Sequence, residues 1–173
     1  MVKYRLVNPH IEGNIKTTFD KKSPIDAARA VWKTISKYVT NVVPKFAFTL
    51  ECVNGKCLHH YLVKESAHND MVDYEITKLN VKKNSKNIKQ FKKRYNKFKN
   101  KMTGGYVDDD DDDYDDDDIA TIMLLRKIRS ADQPIVTWWY NPQIYRLGNI
   151  FIPTFEVPLI PYIYIDMPQV LYY

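Results

Sequence analysis

The chain has 173 residues, 45% of them hydrophobic, and a formal net charge of +5. This length suits about one ordinary domain, and the apolar content excludes disorder throughout the chain. Five glycines argue against a barrel with many tight turns, and two cysteines exclude a disulfide scaffold and lean towards a reducing compartment. We expect no secretory signal in MVKYRLVNPH, no N-myristoylation at Val2 and no membrane span, which needs ~18 consecutive apolar residues.

Residues 1–80 predict a small α+β domain that begins with two strands and a helix. The strands are expected at residues 3–7 and 14–19. In SPIDAARAVWKTISKYV, Ser23 suits the helix N-cap and Pro24 suits the first helical position, where a missing N–H costs nothing. Apolar side chains then recur at steps of three and four up to residue 39, which predicts one buried helix face.

A change to period two after Pro44 predicts a β-hairpin. Residues 46–52 alternate between apolar and other side chains, Asn54-Gly55 is a strong hairpin turn, and residues 57–64 return. The predicted pairs are Phe46 with Val63, Phe48 with Tyr61, Leu50 with His59 and Cys52 with Cys57. The cysteine pair is expected to be non-hydrogen-bonded, with a Cα separation of ~4.5 Å at the short edge of disulfide geometry. A third strand at residues 71–79 completes the order β-β-α-β-β-β, with one helix over a mostly antiparallel sheet.

The two cysteines and the neighbouring histidines permit three kinds of chemistry. Cys52 and Cys57 could form a disulfide, bind zinc together with His59, or pair a thiol nucleophile with a histidine base. His60 would point to the opposite face, which leaves a zinc site without a fourth ligand. The pattern therefore favours two core-facing thiols, and we expect no metal, no cofactor and no catalytic residue.

Residues 81–104 predict a basic amphipathic helix. Ile88, Phe91, Tyr95, Phe98 and Met102 recur at steps of three and four, while residues 82–101 hold ten cations. Ser85 can cap its start, and Gly104-Gly105 end it. The favoured interpretation is that the aromatic seam packs on the chain's own domain; a membrane surface and a partner's groove are further alternatives. A nucleic-acid alternative would use the phosphate-facing cations Lys89, Lys92, Lys93, Arg94 and Lys97.

Residues 105–118 predict a disordered acidic linker. They contain ten aspartates, whose mutual repulsion opposes burial and whose charge offsets that of the preceding helix. An EF-hand is not expected, because the glycine turn and the final glutamate of its loop are missing.

Residues 119–173 predict a short helix at 119–130 followed by an extended arm rich in proline and aromatic residues. Proline forbids a helix there and confines strands to sheet edges. So much apolar surface should be covered, either by the chain's own domain or by a partner. The candidate docking anchors are Trp138, Trp139, Tyr140, Tyr145, Phe151, Phe155, Tyr162 and Tyr164.

Two stretches carry a resemblance: NIKTTFDKKSPIDAARAVWKTISKYVTNVVPKFAFTLE and WWYNPQIYRLGNIFIPTFEVPLIPYIYI. The chain resembles uncharacterised proteins of giant, mimivirus-like DNA viruses over residues 13–79 and 134–166, and departs from them in the Lys-rich and Asp-rich middle. The resemblance implies a viral protein packaged in the particle, and it supplies no catalytic residues. We therefore expect a non-enzymatic minor virion component that docks on other viral proteins, located in the virion or otherwise in the host cytoplasm. The alternative is a nucleic-acid-associated protein.

Overall fold

A computed structural model describes residues 1–54, 57–68, 71–82, 86–102, 133–147, 149, 151 and 153–166. Its strands and helices are β1 (Val2–Asn8), β2 (His10–Glu12), β3 (Thr18–Lys21), α1 (Pro24–Ile35), β4 (Phe46–Cys52), β5 (Leu58–His68), β6 (Met71–Leu79), α2 (Lys86–Met102), β7 (Thr137–Tyr140) and β8 (Tyr162–Ile165). Five strands form an antiparallel sheet in the order β3-β1-β4-β5-β6. The predicted α+β class and the order β-β-α-β-β-β are confirmed for this main sheet.

Helix α1 begins as predicted and covers the main sheet. The Ser23 hydroxyl accepts a hydrogen bond from the Asp26 N–H at 3.2 Å, and Pro24 occupies the first helical position. Val31, Trp32 and Ile35 are buried, and the Trp32 ring lies 5.7 Å from the Phe46 ring. The α-helix ends at Ile35 and continues as a 3-10 turn over residues 36–38, so its regular part is shorter than the predicted stripe.

The register of the β4–β5 hairpin is as predicted, but the prediction of two free thiols is wrong. Phe46, Phe48 and Leu50 pair with Val63, Tyr61 and His59, and Cys52 and Cys57 form a disulfide. The Cys52 N–H donates to the Cys57 carbonyl at 2.9 Å, so the two cysteines lie in a hydrogen-bonded pair. Their Cα atoms are therefore 5.3 Å apart, a common separation for disulfides, whereas the expected non-hydrogen-bonded pair would give ~4.5 Å.

The second predicted strand, at residues 14–19, is misplaced. The strand that joins the main sheet is β3, which begins only at Thr18. Asn14 and Ile15 lie outside it, and their backbone N–H groups donate to the carbonyls of Gln133 and Pro134. Gly13 has φ +140°, and a Cβ there would lie 2.3 Å from the Pro134 carbonyl oxygen. The absence of a side chain at Gly13 thus lets a segment more than a hundred residues away approach the backbone.

A second sheet, in the order β2-β7-β8, joins the N-terminal and C-terminal parts of the chain. Strand β7 pairs antiparallel with β2 and parallel with β8. Its residues share one hydrophobic core with α1 and the main sheet. The Asp-rich segment, the helix predicted at 119–130, Ser85 and Gly104-Gly105 lie outside the described residues, and the domain boundaries proposed there stay predictions.

Candidate functional site

Helix α2 lies on the second sheet through an aromatic cluster. The Trp139 ring contacts the rings of Phe91, Tyr95 and Phe98 at 5.7, 5.9 and 5.5 Å between centroids. Phe98 also meets Tyr164 of β8 at 5.8 Å. Ile88 and Phe91 are buried, which confirms that the seam of α2 packs on the chain's own domain. Neither described helix is long and apolar enough to cross a membrane.

The opposite side of α2 carries the cations that sequence patterns assigned to phosphate binding. Lys89, Lys92, Lys93, Arg94 and Lys97 are all exposed on the helix. Arg94 forms an ion pair with Asp166, immediately after β8. This ion pair ties the C-terminal strand to the helix and partly neutralises the cationic face at one point.

The structure separates the eight predicted docking anchors into two groups. Trp138, Trp139, Tyr140 and Tyr145 are buried, and Trp138 is only 1% exposed between Phe46 and Phe155. These four side chains are therefore covered by the chain's own domain, which was one of the two alternatives expected from sequence; the other was cover by a partner. The remaining four lie nearer the surface: Phe151, Phe155 and Tyr162 are half-buried, and Tyr164 is exposed.

A buried polar network fixes Tyr145 to the main sheet. Its hydroxyl lies 2.8 Å from Asn8 Nδ2, which donates to it, and 2.7 Å from Thr49 Oγ1. Thr49 also lies 2.8 Å from His60 Nδ1. Burial raises the pKa of Tyr145 well above its ordinary value, and burial together with the nearby His59 lowers the pKa of His60 to about 4. The network is therefore neutral at pH 7.

An exposed apolar surface remains along and just before β8. We call it the apolar edge strip, and it comprises Leu159, Ile160, Ile163 and Tyr164, which are 47, 87, 43 and 43% exposed. The N–H groups of Tyr162 and Asp166 donate towards β7. Because backbone groups alternate along a strand, those of Ile163 and Ile165 point to the other edge, where no described strand pairs.

The end of the β4–β5 hairpin carries a cluster of two cysteine sulfurs and one imidazole. One ligand atom each of Cys52, Cys57 and His59 lies within 4.8 Å of the others, and Cys52 Sγ lies 3.4 Å from His59 Nε2. His60 faces the opposite side of the sheet, as expected, so the four-ligand zinc site considered from sequence is not assembled. Both cysteines are in the disulfide, which leaves no thiol for a nucleophile–base pair.

Sequence reasoning named Tyr164 but missed Leu159, Ile160 and Ile163 of the apolar edge strip. It also missed the network around Tyr145. The strip depends on which face of the C-terminal segment is covered, and no local pattern shows that. Asn8 offered a weak signal, since a polar side chain that ends an apolar strand needs a hydrogen-bonding partner once buried.

The comparisons with known proteins found similarity to a protein of a giant virus. The chain is 35% identical over 77 residues to uncharacterized protein L492 of Acanthamoeba polyphaga mimivirus. This chain is thus similar to an uncharacterised giant-virus protein. The similarity confirms the resemblance expected from sequence; it covers 44% of this chain and 43% of that protein, so the chain spans less than half of its relative's length. No family model matches the chain, and no solved structure matches it significantly.

Proposed function

We propose that the chain is a non-enzymatic interaction protein and a minor structural component of a giant-virus particle. In this proposal it docks on another particle protein through the apolar edge strip. The observation that carries the proposal is the exposure of four large apolar side chains along and just before the edge strand β8, with Ile160 87% exposed. The similarity to a mimivirus protein supports the viral setting.

The chemistry of the strip favours an extended apolar segment of the partner. Residues 157–165 contain no charged side chain, and the backbone groups of Ile163 and Ile165 face the open edge. A partner strand added there would gain main-chain hydrogen bonds from the edge and apolar contacts from Ile163 and Tyr164. Of the anchors expected from sequence, Tyr162 and Tyr164 keep this role in the proposal. Three of the buried four, Trp138, Trp139 and Tyr140, lie on strand β7, which pairs with β8.

Several hydrogen bonds hold the strip in a fixed position. Gln133 Nε2 donates to the Leu159 carbonyl, and Gln143 Nε2 donates to the Asp166 carbonyl at 3.0 Å. Asn141 Nδ2 donates to the Asp166 carboxylate at 2.8 Å, which Arg94 also contacts. A surface ordered before binding loses less conformational entropy when the partner arrives.

The test is quantitative mass spectrometry of gradient-purified particles of the virus that encodes the chain, after protease shaving and high-salt washing. We expect the wild-type chain to be retained and an Ile163→Asp chain to be depleted at least ~10-fold, because docking would bury the new carboxylate. The matched control is Val72→Asp on β6, an exposed β-branched residue on an edge strand of the main sheet. Absence of the wild-type chain from particles, or equal retention of both variants, would contradict the proposal.

A second candidate function is nucleic-acid binding by α2. The observation that favours it is the exposed cationic face formed by Lys89, Lys92, Lys93, Arg94 and Lys97, with the aromatic seam turned inward. Lysines on such a face release counterions from phosphates, so binding should weaken as salt rises, by a slope of about 0.9 in log–log terms per contacted phosphate of duplex DNA.

The decisive variant for this second function is Lys92→Gln with Lys93→Gln, and its control is Lys33→Gln with Lys37→Gln near α1, where both lysines are also exposed. Fluorescence anisotropy with duplex DNA should show a smaller salt slope for the first pair than for the second. Equal slopes for both pairs would exclude α2 as the binding surface.

A further inference from the structure

We propose that reduction of the Cys52–Cys57 disulfide creates a zinc site made of Cys52, Cys57 and His59. The oxidised chain then holds no metal at this position, and the reduced chain binds one Zn²⁺ ion with a fourth coordination position open to water or to an external ligand. The proposal is independent of the proposed function, since the hairpin end and the apolar edge strip belong to different sheets.

The positions of the three residues follow from the hairpin register. Cys52 and Cys57 form a hydrogen-bonded cross-strand pair, with Cα atoms 5.3 Å apart. His59 lies two residues beyond Cys57 on β5 and therefore on the same face, opposite Leu50. The ring of Tyr4 on the neighbouring strand β1 contacts the His59 ring edge to face at 6.1 Å, which limits the orientations of the imidazole.

The distances suit a tetrahedral zinc ion once the sulfur–sulfur bond is broken. Zinc–sulfur and zinc–nitrogen bonds of ~2.3 and ~2.0 Å place a sulfur and a nitrogen ligand about 3.5 Å apart and two sulfur ligands about 3.8 Å apart. Cys52 Sγ and His59 Nε2 are already 3.4 Å apart. After reduction, the two sulfur atoms need only to move apart to about 3.8 Å, the separation of two sulfur ligands on zinc. All three ligand atoms already lie within 4.8 Å of one another.

The reduction itself is ordinary thiol–disulfide exchange with a dithiol reductant. Cys57 is the more exposed of the two cysteines, so a thiolate of the reductant attacks Cys57 Sγ and the electron pair of the S–S bond leaves on Cys52 Sγ. The second thiol of the reductant then releases Cys57 and closes the reductant's own disulfide. The two protons that the dithiol loses end on Cys52 Sγ and Cys57 Sγ, so the products are two protein thiols and one oxidised reductant, and two electrons have been transferred.

His59 changes its role between the two states. In the disulfide the Cys52 sulfur carries no hydrogen, so the 3.4 Å contact is made by a hydrogen on His59 Nε2. In the reduced chain that hydrogen moves to Nδ1, and the lone pair of Nε2 faces the sulfurs. Zinc binding then releases one proton from each cysteine and completes a site of two thiolates and one neutral imidazole.

The experiment uses the full chain, oxidised or reduced with a phosphine that is afterwards removed, and titrates it with Zn²⁺ against a chromophoric chelator. We expect one equivalent to bind the reduced chain with submicromolar affinity and none to bind the oxidised chain. His59→Gln should weaken binding about 100-fold, because one of three ligands is lost. His10→Gln is the control, since His10 is a partly buried histidine of the other sheet.

Two further measurements keep the result interpretable. Circular dichroism and the mass of the oxidised chain establish that His59→Gln still folds and still forms the disulfide. Co²⁺ added to the reduced wild-type chain should give a thiolate charge-transfer band and intense tetrahedral visible bands, both absent from a Cys52→Ser, Cys57→Ser chain. Equal Zn²⁺ affinity of the reduced wild type and of the double serine variant would overturn the proposal and leave the disulfide as a hairpin cross-link only.

Discussion

Residues 133–145 and residues 153–166 are both rich in aromatic residues, proline and isoleucine, yet the fold uses them differently. Strand β7 in the first segment lies between β2 and β8, so every one of its residues is buried. One of its faces packs Trp138 on the main sheet, and the other packs Trp139 under α2. Strand β8 in the second segment is an edge strand and keeps Ile163 and Tyr164 exposed. Similar composition therefore gives a buried strand where both edges are paired, as in β7, and a partly exposed strand where one edge is paired, as in β8.

The largest expected effect separates the two segments by stability. Trp138→Ala should lower the free energy of unfolding by about 3–5 kcal/mol, since it empties a packed site between Phe46 and Phe155. Tyr164→Ala removes a side chain that is 43% exposed and should cost less than about 1.5 kcal/mol. Urea unfolding measures both values, and similar losses would break the comparison.

The titration of His60, which contacts Thr49 and Tyr145, should change the free energy of unfolding by up to about 3 kcal/mol with pH. Each unit of pKa difference between the folded and unfolded chain corresponds to about 1.4 kcal/mol. Burial lowers the pKa of His60 to about 4 in the folded chain, against ~6.5 when unfolded. The unfolded chain therefore binds the extra proton first, so this stabilisation is complete above about pH 6.5 and is lost as the pH falls towards 4.

The pH effect is measured as the difference between wild type and His60→Gln in urea unfolding at several pH values. The variant lacks the titrating imidazole, so its stability should fall less between pH 7 and 4. Parallel pH profiles would show that His60 is not buried against Thr49 and Tyr145.

Tyr145→Phe should have a moderate effect that tests the network joining the first segment to the main sheet. It removes the hydroxyl that Asn8 Nδ2 and Thr49 Oγ1 contact and leaves buried polar atoms unsatisfied. We expect a loss of about 1–3 kcal/mol in the free energy of unfolding. Tyr164→Phe is the matched control on the exposed strand and should change it by less than about 0.5 kcal/mol.

The smallest expected effect on stability is that of Ile163→Asp. Ile163 is 43% exposed, so the change should lower the free energy of unfolding by less than about 1 kcal/mol. Its retention in particles should nevertheless fall as described above. A large loss of stability would show that β8 is covered in the free chain and would remove the basis of the apolar edge strip.

The sequence predicted the parts of the fold that depend on neighbouring residues. The Ser23 cap, the β4–β5 register and the α2 seam follow from spacing over a few positions and were correct, and the α1 stripe was correct up to Ile35. The failures involve distant segments. Strand β2 forms only because β7 pairs with it, and residues 14–15 bond to residues 133–134 instead of continuing a strand.

The candidate site was also predictable only in part. The exposed cations of α2 follow from helical period, and their exposure was correctly expected. The four buried anchors of residues 138–145 could not be distinguished from Tyr164, because all are aromatic residues in a proline-rich segment. The disulfide was left open as the less favoured alternative because the cysteine pair was expected to be non-hydrogen-bonded, whereas the actual pair is hydrogen-bonded.

Hydrogen exchange followed by mass spectrometry, on the free chain and on purified particles, tests the central claim most directly. The account predicts that the amides of β7 exchange only through global unfolding in both samples. It also predicts that the amides of Ile163 and Ile165 exchange quickly in the free chain and become protected in particles. Rapid exchange of β7 in the free chain, or an unprotected β8 edge in particles, would contradict the account.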